Sequence, residues 1–153
     1  MYKYDEITFK TSIGNIQLAS KNKEIVSIQF TSKKIKESNL ALLNNAKKQI
    51  EEYILGQRKL FDIKINPEGT KFQKIVWKKL YTIPYGNTVT YLKLANSLNT
   101  SPRAIGNACG KNPLLIVIPC HRVLSIKKEL TGFSALGGII TKKKLLKIEN
   151  IKI

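Results

Sequence analysis

The chain has 153 residues, 42% of them hydrophobic, which is enough for one large domain or two small ones with a real core. Its two cysteines and single histidine argue against a zinc site of the usual Cys/His type, and no apolar run is long enough to span a membrane. The formal net charge of +17 favours a polyanionic partner, with nucleic acid ahead of a membrane surface.

The positive charge is concentrated in the second half of the chain. Residues 1–62 carry 11 Lys and Arg against 7 Asp and Glu, whereas residues 63–153 carry 16 against 3, so the net charges are +4 and +13. Compositional drift in a chain rich in Lys, Ile and Asn would not by itself produce this asymmetry. We therefore expect residues 63–153 to face the nucleic acid.

The first third of the chain is predicted to be a small sheet followed by a helix. Val26, Ile28 and Phe30 alternate with polar residues, which is the period-two pattern of a strand. Residues 1–31 are predicted to form strands of this kind. A helix is predicted over residues 38–55, with the serine at its first position as the cap.

A linker follows these elements. Residues 66–69, Asn-Pro-Glu-Gly, have turn-forming composition, and they come after a short extended stretch over 60–65. We place a domain boundary there, with an N-terminal α/β support domain over 1–66 and a second domain over 70–153. Because no reactive group of residues precedes the boundary, we expect the first domain to give structural support only.

The second domain is predicted to begin with a capped helix. Thr70 and Gln73 have the spacing of a capping box, in which each side chain satisfies a backbone N–H group of the first turn. The apolar residues that follow at helical spacing predict the buried face. They are Phe72, Ile75, Val76 and Leu80.

Two short helices joined by a tight turn come next. Thr90 is predicted to cap the first, and Ser101 the second, which has Pro102 at its favoured first position and extends to Cys109. This is a helix-turn-helix pattern, whose second helix usually contacts DNA, and here that helix begins with Arg103 close to its cap. Many short helix pairs do not bind DNA, so the prediction of DNA binding depends on the positive charge of this half of the chain.

The last predicted helix covers residues 138–150. Ile139, Leu145 and Leu146 mark its apolar face, and Glu149 shares that face by helical spacing. A carboxylate on a buried face needs a partner, or its pKa rises. The alternative is a glutamate at a helix end that is screened by solvent.

The adjacent Cys120 and His121 are the candidate reactive pair. The apolar run 114–118 predicts a buried strand that leads into them. A thiol becomes a strong nucleophile when a base removes its proton, and Glu149 is the candidate acid to orient the imidazole. Neighbouring residues on a strand point to opposite faces, so a turn after Pro119 or a bridging water is needed. The alternative is a buried, inert structural cysteine.

Residues 118–123, Ile-Pro-Cys-His-Arg-Val, with Gly-Lys-Asn-Pro at 110–113, resemble the active-site signature of the O6-alkylguanine-DNA alkyltransferases, also called methylated-DNA–protein-cysteine methyltransferases. The Pro-Cys-His-Arg core with the upstream Asn-Pro is highly specific. The resemblance covers roughly residues 70–150 in order and spacing. Further matching segments are 83–86 with 90–95, 102–106, 132–134, 137–138 and 145–149.

The resemblance implies an α+β fold, with a small N-terminal antiparallel sheet and helix that are ribonuclease-H-like and a mainly helical, winged-helix-like second domain. It implies that a cysteine takes the alkyl group irreversibly from O6 of guanine, and from O4 of thymine, in double-stranded DNA. The protein is then a single-turnover methyltransferase without cofactor or metal, and we expect a monomer. With two cysteines and no signal-peptide pattern, we also expect it to be cytoplasmic.

The resemblance also assigns roles in the transfer itself. Cys120 corresponds to the nucleophile and acceptor, and His121 to the base that takes the thiol proton through a water. Glu149 corresponds to the acid that orients the imidazole, and Asn112 to a hinge between the helix-turn-helix and the cysteine. Arg122 is expected to pack beside the site without reacting.

Further roles concern DNA and the flipped base. Arg103 matches the arginine that enters the base stack, and Tyr91 matches the tyrosine that donates to guanine N3. Phe133, Ser134 and the Val123 backbone match the base pocket, with Phe133 standing where many relatives have tyrosine. Three further residues are expected to contact DNA through the two short helices. They are Thr90, Ser101 and Ala104.

Two other functions remain open from sequence. The first is a basic helix-turn-helix protein that binds DNA through phosphate contacts and has an inert Cys120. The second is a thiol hydrolase, which would turn over repeatedly. The adjacency of the histidine argues against a cysteine protease, because such enzymes usually take their base from a distant segment.

Overall fold

A computed structural model of the chain describes residues 4–127, 133 and 135–152. It begins with a three-stranded antiparallel meander of β1 (Asp5–Thr11), β2 (Gly14–Lys21) and β3 (Glu24–Phe30), paired in that order. Asn22 and Lys23 both have positive φ angles, which is the backbone that a two-residue hairpin turn between twisted strands requires. The predicted strands over this region are confirmed.

Helix α1 (Ala41–Ile54) packs on one face of the sheet through an apolar stripe that includes Leu43, Ile50 and Tyr53. The predicted cap is wrong, because Leu40 occupies the cap position without a side-chain hydrogen bond. The Ser38 hydroxyl accepts instead from the backbone N–H of Leu40, so it closes a turn before the helix begins.

The stretch before the linker is extended and lies beside the start of β3. Ile25 donates its N–H to the carbonyl of Lys64 and accepts from the N–H of Asn66, and a single bridge pairs Ile25 with Ile65. The division of the chain into two domains near this point stays a prediction. Backbone hydrogen bonds from Ile28 to Pro113 and back from Leu115 join β3 to the second half.

Helix α2 (Lys71–Tyr81) has the predicted capping box, since Thr70 accepts from the N–H of Gln73 and the Gln73 side chain accepts from Thr70. The prediction of which α2 residues form the buried face is partly wrong. Phe72 and Ile75 are 38% and 46% exposed, whereas Trp77 is buried and its indole donates to the carbonyl of Ala108. That hydrogen bond to a distant helix sets the rotation of α2.

The helix-turn-helix is formed by α3 (Tyr91–Ser97) and α4 (Pro102–Gly110). The hydroxyls of Thr90 and Ser101 cap the two helices as predicted. A short parallel pair, β4 (Val89–Thr90) with β5 (Val123–Leu124), ties the start of α3 to the segment after the cysteine.

The apolar run before the cysteine is not a strand. Leu114 alone bridges to Ile28, and the chain then turns, with Ile116 at a φ of +74°. All five residues of 114–118 are nevertheless buried. The run predicted burial correctly, but a buried turn and a buried strand have the same composition. The turning segment passes directly into a 3-10 turn over Cys120–Arg122.

The last helix, α5 (Gly138–Ile148), ends two residues earlier than predicted, with Glu149 at its C-cap. Ile139 was predicted to lie on the apolar face but is exposed, and Lys142 is buried in its place beside Leu145 and Leu146. None of the helices in the described ranges is long and apolar enough to cross a lipid bilayer.

Candidate active site

Cys120 opens the 3-10 turn and is only 3% exposed. Asn112 holds the segment around it. Its Nδ2 donates to the carbonyl of Ile118 at 2.8 Å and lies 3.2 Å from the Cys120 sulfur, while its Oδ1 accepts from the N–H of Leu114 at 2.9 Å. One amide therefore fixes both ends of the buried turn and the position of the thiol.

Burial raises the pKa of the Cys120 thiol, while the Asn112 hydrogen bond and the positive charge of Lys142 act in the opposite direction. Cys109, the other cysteine, is also buried and lines the same small cavity of about 270 Å³. Its burial and the neighbouring Cys120 raise its pKa to about 12. Burial therefore raises the pKa of both thiols and Lys142 lowers both, whereas the Asn112 amide donates its hydrogen bond to Cys120.

Lys142 is a site residue that the sequence analysis missed. It is fully buried, its Nζ donates to the carbonyl of Val123 at 2.7 Å, and its second contact is the Tyr91 hydroxyl at 3.4 Å. Burial lowers its pKa, whereas the two cysteines raise it. The signal was present in the sequence, since Lys142 precedes Leu145 by three residues and Glu149 by seven and so shares their helix face.

His121 is fully buried and its Nε2 lies 2.5 Å from Glu149 Oε2. Glu149 is 3% exposed, so the sequence prediction that it faces inward is confirmed. Burial alone would raise the pKa of this carboxyl, but hydrogen bonds from His121, Arg122 and the Gly86 N–H hold it at about 2. Glu149 is therefore ionised and accepts hydrogen bonds only.

The ionised carboxylate fixes the tautomer of the histidine. Because Glu149 can only accept, His121 Nε2 must carry a proton, and the lone pair of the neutral ring is on Nδ1. Nδ1 is buried and has no hydrogen-bond partner within the described residues. Burial lowers the pKa of His121. The site therefore presents a neutral imidazole with an available proton acceptor.

Arg122 completes the charge balance around the acid. Its Nε donates to Glu149 Oε1 at 2.8 Å and its Nη2 to Oε2 at 3.1 Å, which is a two-bond fork. Its Nη1 donates to the carbonyl of Ile83. All of these contacts are structural, as the sequence analysis expected of Arg122.

A cleft of about 1340 Å³ opens beside the two short helices. It is lined by Arg103 and Ala104 from α4, by Tyr91 from α3 and by Phe133. Arg103 is exposed at the start of its helix. Exposed apolar side chains contribute to the same wall; they are Phe72, Leu92, Ile126 and Ile139.

Phe133 also lines the small cavity that contains Cys120, so it lies between the cleft and the thiol. The Val123 carbonyl, predicted to contact the base, accepts from Lys142 in this structure. Thr90 and Ser101 are not among the residues that line the cleft, and their hydroxyls accept the helix-capping hydrogen bonds. Ser134 lies outside the described residues.

Metal ligands are not clustered in the described part of the chain. No group of three or more His, Cys, Asp and Glu side chains is arranged there to hold an ion. The chemical groups of the site are the Cys120 thiol and the His121 imidazole from the 3-10 turn and the Glu149 carboxylate from the end of α5.

Comparisons with known proteins match both halves of the chain. The ribonuclease-like domain of 6-O-methylguanine DNA methyltransferase matches residues 5–67, and the DNA-binding domain of the same family matches residues 71–151. The methylated-DNA--protein-cysteine methyltransferase of Methanosarcina acetivorans is 39% identical over 150 residues, which cover 92% of this chain and 95% of that protein.

Solved structures give the same result. The O6-methylguanine methyltransferase of Mycobacterium tuberculosis superposes with a TM-score of 0.86 at 32% identity, over 96% of this chain and 93% of that one. The same organism's OGT in complex with DNA gives a TM-score of 0.84 at 34% identity, over 94% and 91% of the two chains. The α+β fold predicted from the sequence is confirmed.

Proposed function

This chain belongs to the 6-O-methylguanine DNA methyltransferase family, and from that premise we propose that its Cys120 accepts the alkyl group from O6 of guanine in duplex DNA. The activity is DNA repair by alkyl transfer, and DNA is the partner. The observation that carries the assignment to Cys120 is its sulfur, 3.2 Å from the Asn112 amide in a cavity that Phe133 connects to the cleft, directly before the histidine whose Nδ1 has no partner among the described residues.

The proposed reaction is one displacement. The thiol proton passes through a water to His121 Nδ1, and the Cys120 sulfur attacks the alkyl carbon. The carbon–O6 bond breaks, its electron pair goes to the base, and the base takes the Tyr91 hydroxyl proton, which the proton held by His121 replaces through water, so that the base leaves neutral. The product is a thioether, which has no good leaving group, so each molecule reacts once. Glu149 stabilises the imidazolium that forms.

Lys142 and Tyr91 are proposed to stabilise negative charge at two places in this step, on the thiolate and on the departing base. The buried ammonium of Lys142 favours the thiolate form of Cys120. It also contacts the Tyr91 oxygen at 3.4 Å, which orients the phenol along the wall of the cleft. Tyr91 is proposed to donate its own proton to guanine N3 as negative charge develops on the base.

The alkylated base must leave the stack to reach a thiol that is 3% exposed, and flipping costs a few kcal/mol. Arg103, exposed at the start of α4 and on the cleft wall, is proposed to fill the gap. We propose that O4-alkylthymine is also accepted. The protein is proposed to act as a monomer in the cytoplasm, where a free thiol stays reduced.

The test of this function is the intact mass of the reduced protein after incubation with a duplex that contains O6-methylguanine. We expect a gain of one methylene, at one event per molecule even in excess substrate. A folded sample with no mass gain would leave only the helix-turn-helix binding function. Release of demethylated DNA beyond one equivalent would instead support a hydrolase.

Arg103→Ala is expected to slow repair of duplex lesions by about 100-fold, because the flipped state loses roughly a few kcal/mol of stabilisation. Reaction with the free alkylated base should be unchanged, since no flipping is needed. The measurement is the single-turnover rate on both substrates. Arg58→Ala is the matched control, because Arg58 pairs with Glu52 away from the cleft. Equal losses on duplex and free base would contradict the flipping role.

A further inference from the structure

Tyr53 joins helix α1 to the acid of the reactive site. Its side chain is fully buried, and its hydroxyl donates to Glu149 Oε2 at 2.5 Å across 96 residues of sequence. The same hydroxyl lies 3.4 Å from His121 Nε2. Tyr53 belongs to the segment that matches the ribonuclease-like domain, for which the sequence analysis expected a supporting role only.

Two aromatic side chains pack against the ring of Tyr53 and fix its orientation. Phe61 packs against it at 5.6 Å between centroids, tilted by 43°, and Tyr85 meets it edge-on at 6.0 Å and 85°. A buried aromatic side chain in such a cage has little rotamer freedom. The packed ring therefore places the hydroxyl within hydrogen-bonding distance of the carboxylate.

We propose that Tyr53 is a positioning residue for the alkyl-transfer reaction that acts through Glu149, because its hydroxyl competes with the His121 imidazole for the negative charge of Oε2. This inference rests on the proposed function of the site. Both the phenol O–H and the imidazole Nε2–H donate to the same oxygen, so neither can move without affecting the other.

The consequence is a tuned proton affinity at His121. A neutral donor on a carboxylate disperses its charge, so the carboxylate stabilises a neighbouring imidazolium less. Without the phenol, Glu149 would hold the imidazolium more strongly. The other titratable or charged groups that act on the pair are Arg122 from the 3-10 turn, Lys142 from α5 and Tyr85 from the loop after α2.

The chain has a single histidine, so one imidazole signal in an NMR titration reports on His121 without further assignment. Tyr53→Phe keeps the ring and removes only the hydroxyl. We expect the pKa of His121 to rise by about half a unit or more. The acid limb of the pH profile of alkyl transfer should move to higher pH by the same amount, because the base must be neutral to accept a proton.

Tyr85→Phe is the matched control. It also removes a phenol beside Glu149, but that hydroxyl donates to the carbonyl of Ile148 at 3.2 Å and not to the carboxylate. We expect no change in the His121 pKa, although both variants lose a hydrogen bond and some thermal stability.

Three results would overturn the proposal. They are an unmoved or lowered His121 pKa in Tyr53→Phe, an imidazole that stays neutral across the titration in both proteins, or an equal rise in Tyr85→Phe. The titration needs no substrate, so its failure is separate from failure of the proposed function, which the mass gain of the wild-type protein tests.

Discussion

The Cys120→Ala protein, incubated with duplex DNA that contains O6-methylguanine, is expected to keep its starting mass and to leave the lesion in place. The substitution removes the sulfur that we propose forms the new bond to the alkyl carbon, and it leaves His121 Nδ1 without a thiol proton to accept. Binding to DNA should persist, since Arg103 and the helix-turn-helix are untouched. Mass spectrometry measures the transfer and fluorescence anisotropy the binding.

Cys109→Ala is the matched control, with the same substitution at the other cysteine. Burial raises the pKa of Cys109 to about 12, and the histidine proposed as the base directly follows Cys120 in the chain. The control should therefore gain one methylene like the wild-type protein. A mass gain in Cys120→Ala, or its loss in Cys109→Ala with the fold intact, would place the acceptor at Cys109.

Glu149→Gln is expected to lower the free energy of unfolding by about 3–5 kcal/mol, because it leaves the buried Arg122 without its counter-ion. For a chain of this size, that corresponds to a fall in Tm of roughly 10 °C. Alkyl transfer should slow by about 100-fold or more, since the acceptor that fixes the His121 tautomer becomes a weaker, neutral group. Denaturant unfolding and single-turnover rates measure the two effects.

The control for this variant is Glu52→Gln, which breaks the partly exposed pair of Glu52 with Arg58 at 3.2 Å. Such pairs contribute about 0–1 kcal/mol, so little stability should be lost and the transfer rate should not change. A Glu149→Gln protein as stable and as active as Glu52→Gln would contradict the role assigned to the acid.

The same carboxyl predicts a dependence of stability on pH. The pKa of Glu149 is about 2 in the folded chain and 4.5 in its ordinary state, so its contribution is complete above pH 4.5 and is lost as the pH falls toward 2. The stability difference between wild type and Glu149→Gln should therefore shrink over that range. Urea unfolding at a series of pH values measures it, and a constant difference would contradict the lowered pKa.

The features that could be predicted from sequence are those that neighbouring residues determine. The caps at Thr70, Thr90 and Ser101 were predicted because a cap and the N–H it binds lie within three residues. The inward position of Glu149 followed from helical spacing. The prediction that Ser38 caps α1 was wrong because its hydroxyl has a second local use. It accepts a hydrogen bond from the N–H of Leu40 in a turn that precedes the helix.

The features that could not be predicted depend on distant partners. The rotation of α2 follows from the hydrogen bond of Trp77 to Ala108, 31 residues away, and an apolar pattern cannot show it. Residues 114–118 begin with a bridge from Leu114 to Ile28 of β3, 86 residues earlier in the chain, and then turn at Ile116. Tyr53 resembles any buried tyrosine on a helix until Glu149 is seen beside it.

The position of the acid has a consequence for the gene. Glu149 lies 28 residues after His121 and 96 after Tyr53, so the reactive centre is complete only when almost all of the described chain has been made. A message with a stop codon just before Glu149 would still encode both cysteines, His121 and the helix-turn-helix. Its product would lack the carboxylate that orients His121 and balances the charge of the buried Arg122, so a nonsense mutation even this late in the gene should impair both folding and alkyl transfer.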